Sequence, residues 1–188
     1  MKKYTLTSES ISYPGYTLHR IQAVQDFGIV QNGDLGGFIE SEANLSHAGN
    51  AWVSGAAQVS GNAQVFGAAQ VFGNTWVFGN AWVSGNARVY GDARVFGNAW
   101  VFGNAQVFGN AQVSGNAWVS KPSECISIIN LGFNITVTPQ NVAIGCRLYT
   151  HAELKKMTKK RAALEGLPAE HYADYKTILL VLMKRVSI

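Results

Sequence analysis

Residues 97–120 read GNAWVFGNAQVFGNAQVSGNAWVS, one six-residue phrase written four times. Gly, Asn, Ala and Val hardly change, while the residue before Val is Trp or Gln. The phrase extends backwards. From Gly49 to Ser120 the chain divides into twelve hexads with no insertion or deletion, in the order Gly, Asn/Asp/Ala, Ala/Thr, variable, Val, Ser/Phe/Tyr. The last four positions alternate between small or aliphatic and variable residues, which is the period of a strand with one buried face. Ala and Val therefore point inward, and the Trp/Gln/Arg and Ser/Phe/Tyr positions point outward. The Gly-Asn pair supplies the corner, because Gly adopts positive φ without a Cβ penalty and Asn tolerates it better than most residues. A strand of about four residues with a two-residue corner has no core of its own. Stacking coil on coil at about 4.8 Å gives it one.

With three hexads per coil, residues eighteen apart stack, and twelve hexads make four coils. One face stacks Trp52, Gln70, Arg88 and Gln106, with Ser54, Phe72, Tyr90 and Phe108 beside them. The second stacks Gln58, Trp76, Arg94 and Gln112, with Ser60, Phe78, Phe96 and Ser114. The third stacks Gln64, Trp82, Trp100 and Trp118, with Phe66, Ser84, Phe102 and Ser120. Its corner column, Asn62, Asn80, Asn98 and Asn116, suits an amide ladder.

The flanks differ in composition. Residues 1–48 read as a β-hairpin cap around Tyr13-Pro14-Gly15-Tyr16. Such a cap covers the unpaired strand edges and apolar cross-section at the end of a stack. Residues 121–149 contain a second hairpin, with strands expected at Phe133–Thr138 and Val142–Cys146. Residues 150–188 read as two helices. Thr150 and Glu153 cap the first, Gly166 ends it, and Pro168 opens the second, whose apolar stripe is Tyr172, Tyr175, Ile178, Leu179, Leu182, Met183 and Val186. The domains expected are thus 1–48, 49–120, 121–149 and 150–188.

The chain has 188 residues, and 47% hydrophobic against 14% charged residues argues for a folded chain. No apolar run reaches the roughly 18 residues of a membrane span, and no apolar segment follows Lys2-Lys3 to make a secretory signal. The expectation is a cytoplasmic protein with Cys125 and Cys146 as free thiols. The net charge of +4 is uneven: residues 147–188 carry nine basic and four acidic side chains.

The architecture resembles the hexapeptide-repeat proteins, and within them a bacterial and prophage set, the YdcK-like group. The resemblance rests on LHRIQAVQDFGIVQNGDLGGFIESEANLSHAGNAWV, on the GNARVYGDARV repeat and on the tail NVAIGCRLYTHAEL. It implies a left-handed parallel β-helix with acyltransferase-like folding, self-association and phage or prophage origin, but no settled activity.

Catalytic chemistry finds little support. Acyl transfer on this fold needs a general base, usually His, near a coenzyme A groove. No His lies between Gly49 and Ser120, and no loop leaves the coils. His47 sits just before the first coil, His19 in the hairpin, and His151 and His171 in the C-terminal segment. A zinc site would need several converging His or Cys ligands, and no such cluster appears. Neither does a triad, a P-loop or a dinucleotide fingerprint. No catalytic residue, metal or cofactor is expected. The basic run Lys155–Arg161 places Lys155, Lys156, Lys159 and Lys160 on one side of a helix. Without interleaved aromatics this reads as a solvated face, so nucleic acid is not an expected partner. Asp92 reads as a tolerated corner residue. Arg88, Tyr90 and Arg94 around it form a candidate recognition spot.

The outward aromatics are the stronger signal. Trp82, Trp100, Trp118, Phe66 and Phe102 present on the order of several hundred Å2 of contiguous apolar surface. Another subunit, the C-terminal helices or a foreign partner must cover it. The reading is an all-β solenoid with a C-terminal hairpin and two helices, a non-enzymatic binding protein that self-associates, preferably as a trimer. Its expected partner is a host protein or a small anionic ligand held between subunits, an anti-defence role. The alternative is an acyltransferase using coenzyme A thioesters.

Overall fold

The structure, a computed structural model, describes residues 2–128, 134–166 and 172–186. The hexads form a parallel solenoid. Each contributes one two-residue strand, from β4 at Trp52–Val53 to β15 at Trp118–Val119 in six-residue steps. These strands are shorter than the four residues expected, because the corner claims the residues on either side. Three ladders follow the eighteen-residue spacing. Trp52, Gln70, Arg88 and Gln106 pair on the first face; Gln58, Trp76, Arg94 and Gln112 on the second; Gln64, Trp82, Trp100 and Trp118 on the third. Backbone N–H groups donate to the coil above at close to 2.9 Å, as from Trp82 to the Ala99 carbonyl.

Every Val of the twelve hexads is fully buried, and so is the Ala column, including Thr75, which replaces one Ala. Thr75 is tolerated there because its hydroxyl donates to the Phe72 carbonyl at 2.7 Å, leaving no unpaired polar group in the core. Removing each Val side chain from water contributes about 1.5–3 kcal/mol, so the core rests on the repetition of a small, stiff side chain.

The N-terminal hairpin is present as β1 (Tyr4–Tyr13) and β2 (Tyr16–Ala23), and β3 (Leu35–Ile39) adds to β2 antiparallel. β3 then pairs in parallel with the second-face strand Gln58–Val59, and Leu45 bridges to Val65 on the third face. Residues after Gly36 therefore begin the solenoid, so the four hexad coils continue into a partial coil and the stack has about five turns. Here the spacing is twenty residues, Phe38 to Gln58, which put this rung out of phase with the hexads in the sequence. Gly36 is required by close approach: a Cβ there would lie 2.7 Å from the Val53 carbonyl oxygen.

Side chains close both ends of the stack. At the first face Lys3 Nζ donates to the carbonyls of Gly49 and Ala51, at 3.2 and 2.8 Å. At the third, Asn44 Nδ2 donates to Gly61 and Ala63, both at 2.9 Å. At the far end Gln112 N–H donates to Thr136 Oγ1, Trp118 N–H to Gln140 Oε1 and Ser120 N–H to Glu124 Oε2. Burial opposes ionisation of Glu124, but the hydrogen bonds from Ser120 and Lys121 outweigh it and hold its pKa below the usual carboxylate value. Polar groups that would otherwise template another strand are thereby satisfied.

The C-terminal unit departs from expectation in two ways. The second hairpin is the centre of a four-stranded antiparallel sheet: β16 (Ile126–Ile128), β17 (Ile135–Val137), β18 (Asn141–Ile144) and β19 (Arg147–Thr150). Phe133, expected to start a strand, lies outside the described residues. Three helices follow instead of two: α1 (His151–Lys156), α2 (Lys159–Leu164) and α3 (Tyr172–Val186). Thr150 and Glu153 form the expected capping box on α1. The helix then breaks at Met157, which is extended, and Thr158 starts α2 by accepting from the Arg161 N–H. The freed Met157 carbonyl accepts from the Tyr172 hydroxyl and from Lys176 Nζ of α3. Leu179, Met183 and Val186 are the fully buried part of the expected α3 stripe. Pro168 and His171 lie outside the described residues.

Candidate functional site

The third face holds the indole ladder. Trp82 and Trp100 stack with centroids 4.9 Å apart and planes 7° apart; Trp100 and Trp118 stack at 5.2 Å and 13°. Phe66 meets Trp82 edge-on at 5.9 Å. The coil spacing dictates this geometry, since identical side chains one rung apart stack along the solenoid axis. The ring faces are thus spent on each other, and the indole edges form an outward ridge. Trp82, Trp100 and Trp118 are 37%, 37% and 52% exposed. The end of α3 reaches only the last rung, where Val186 lines a cleft with Phe102 and Trp118. Beside the ridge Phe66 and Phe102 are half-buried. The Asn corner column is hydrogen-bonded throughout, Asn62 to Asn80 to Asn98 to Asn116, at 3.1, 3.1 and 3.2 Å.

The other two faces spend their aromatics differently. On the first, Phe72, Tyr90 and Phe108 stack at 5.1 and 5.4 Å, while Trp52 is only 5% exposed because Tyr4 and Phe27 pack edge-on against it. On the second, the Arg94 guanidinium lies over Trp76, 5.5 Å from its centroid. The recognition spot suggested by Arg88, Tyr90 and Arg94 is therefore split: Arg88 and Tyr90 belong to the first face and Arg94 to the second. Asp92 at the corner between them accepts from Asn74 Nδ2 at 3.0 Å, as the Asn in other corners does.

His47 has the surroundings of a structural side chain. Its ring stacks on Tyr4 at 4.2 Å, its Nδ1 accepts from the Lys3 N–H at 3.3 Å, and its Nε2 faces Glu42 at 3.5 Å. Glu42 is held ionised chiefly by the hydrogen bond from Lys2, at 2.6 Å. An Nδ1 that accepts leaves the proton on Nε2, which is buried and makes no hydrogen bond. Cys125 is buried, which pushes its thiol up to about 12, and Cys146 is exposed; both are free. His151 Nε2 lies 2.9 Å from the Thr138 carbonyl. Among the described residues no group of three His, Cys, Asp or Glu is placed to hold a metal ion, and no helix is long and apolar enough to cross a membrane.

The expected single basic helix face is corrected. The break at Met157 divides Lys155 and Lys156 on α1 from Lys159 and Lys160 on α2, all exposed. Next to the break Glu165 gathers Tyr149, Arg147 and Arg161, and hydrogen bonds from Tyr149 and then Arg161 lower its pKa.

The family model described as the YdcK Beta solenoid repeat matches three stretches, residues 57–73, 87–103 and 105–121. Over these stretches the solenoid is similar to the YdcK β-solenoid repeat. The matched stretches all lie on the coils whose ladders are described above. Comparison with curated proteins gives no match.

Proposed function

We propose that this protein works by binding and not by catalysis, and that its third face is the surface on which copies of the chain associate. The observation that carries the reading is the uncovered indole ladder. Three stacked tryptophans flanked by two phenylalanines make a rigid apolar ridge, which monomers rarely leave in water. Aromatic anchors of this type dominate interface energies. A threefold arrangement with parallel axes brings three equivalent ridges together at one axis, and burial at about 25 cal/mol per Å2 drives it before association costs. The clefts between such prisms are where a host component or a small anionic ligand is expected to sit, which is the form an anti-defence role would take. Native mass spectrometry of the purified chain tests the assembly. A three-chain mass is expected; a single-chain mass at micromolar concentration overturns it.

Acyl transfer is the less favoured reading, because Nδ1 of His47 is engaged by the Lys3 N–H and Nε2 is buried in the cap, facing Glu42. Incubation with acetyl-coenzyme A and mixed acceptors tests it, and turnover lost in His47→Ala would reinstate it.

A further inference from the structure

The tip of the N-terminal hairpin leans over the second face and borders a half-open cleft of about 420 Å3. Tyr13 is the strut: its hydroxyl donates to Gln58 Oε1 at 3.1 Å, its ring stacks on Tyr16 at 5.1 Å, and it meets Trp76 edge-on at 6.3 Å. The cleft is lined by Tyr16, Trp76 and Phe78, with Gln58, Ser60 and the Glu40 carboxylate as its polar side chains. Its volume falls within the range of small-molecule sites.

Glu40 is the only charged side chain lining this cleft. Its Oε2 accepts from the Gly61 N–H at 2.7 Å, which fixes the carboxylate, and among the described ion pairs it has no cationic partner. A fixed, uncompensated carboxylate beside three aromatic rings is complementary to an organic cation: the carboxylate supplies the counter-charge, and the rings supply the surface left by their existing partners, Tyr13 on Tyr16, Phe96 on Phe78 and Arg94 on Trp76. Trp76 already accepts a cation, since Arg94 sits over its ring. That guanidinium is exposed, so water screens it from the cleft.

We infer that this cleft binds a methylated ammonium group. The site is independent of the third face and does not require self-association. The group has two carriers with the same chemistry, a free quaternary ammonium ion such as choline and a trimethylated lysine side chain.

Calorimetric titration of the full chain with choline, with a short peptide carrying trimethyl-lysine, and with 3,3-dimethyl-1-butanol, the uncharged isostere of choline, is the test. At least one cation should bind about tenfold or more tighter than the isostere, and the tighter of the two identifies the carrier. Glu40→Gln keeps an acceptor for Gly61 N–H but removes the charge. It should weaken the cation about tenfold and leave the isostere unchanged, with an unaltered melting temperature showing that the fold persists. Absence of binding by both cations at millimolar concentration, equal binding of cation and isostere, or an unchanged affinity in Glu40→Gln would each overturn the inference.

Discussion

Two corner glycines with nearly the same backbone make a controlled pair of perturbations. Gly85 has φ +65° and Gly109 has φ +62°, so Ala at either position meets the same left-handed strain, about 1–2 kcal/mol. Their surroundings differ. A Cβ on Gly85 would lie 2.8 Å from the Gly103 nitrogen and 3.0 Å from its oxygen, while a Cβ on Gly109 meets nothing within 4 Å. The rung above cannot move away from Gly85, because the Gly103 carbonyl accepts from the Asn86 N–H at 2.8 Å. Gly85→Ala should therefore cost about 1–3 kcal/mol more than Gly109→Ala, the usual penalty of overpacking. For a chain of this length each kcal/mol is about 2–4 °C, so the two variants should differ by several degrees. Thermal unfolding followed by circular dichroism measures both. Equal losses would show that corner strain alone sets the cost, and the argument that coil-to-coil contact demands glycine would fail.

Trp100→Ala removes both stacking partners from the middle of the ladder, at about 0.5–1.5 kcal/mol each, and should lower the melting temperature by several degrees even in a dilute, dissociated sample. Lys3 is 1% exposed, and burial brings its pKa down from 10.5 to about 8. Between those values the unfolded chain binds more protons than the folded one, so this residue makes stability rise with pH from about 8 towards 10.5. Tyr4 acts in the opposite direction: burial, and then the Glu42 charge, raises its pKa above 10, so its contribution falls as pH climbs past 10. Urea unfolding from pH 7.5 to 10 should show the rise in wild type and lose it in Lys3→Met; an identical slope in both would remove Lys3 as its source. Thr158→Ala should cost about 0.5–2 kcal/mol by removing the cap of α2, readable as a lower urea midpoint, and no loss would mean that α2 is not held by that cap.

Most of the solenoid is legible because its two periods are clean. Period two identifies the buried Ala and Val, and period eighteen places Trp82, Trp100 and Trp118 on one face. What escaped was set by tertiary geometry. The first rung, Phe38–Ile39 on Gln58–Val59, is twenty residues from its partner and carries no Gly-Asn phrase, so periodicity does not reveal it. The caps are single side chains of long sequence separation, such as Lys3 on Ala51 and Gln140 on Trp118, and nothing local marks them. The helix break at Met157 is local, and Thr158 as an N-cap residue was its available signal, masked by the run of lysines and a good capping box at Thr150. The cleft at Glu40 needs the hairpin tip folded onto the second face. The sequence places Tyr13 and Tyr16 at one turn but nothing in it connects them with Trp76.

On the proposed reading the third face, and no other, joins copies of the chain. Sedimentation velocity of wild type, Trp100→Lys and Phe108→Lys tests it directly, since Phe108 is similarly exposed on the first face. A trimer is expected for wild type and Phe108→Lys and a folded monomer for Trp100→Lys. A monomeric wild type, or a trimer that survives Trp100→Lys and is lost in Phe108→Lys, would contradict it.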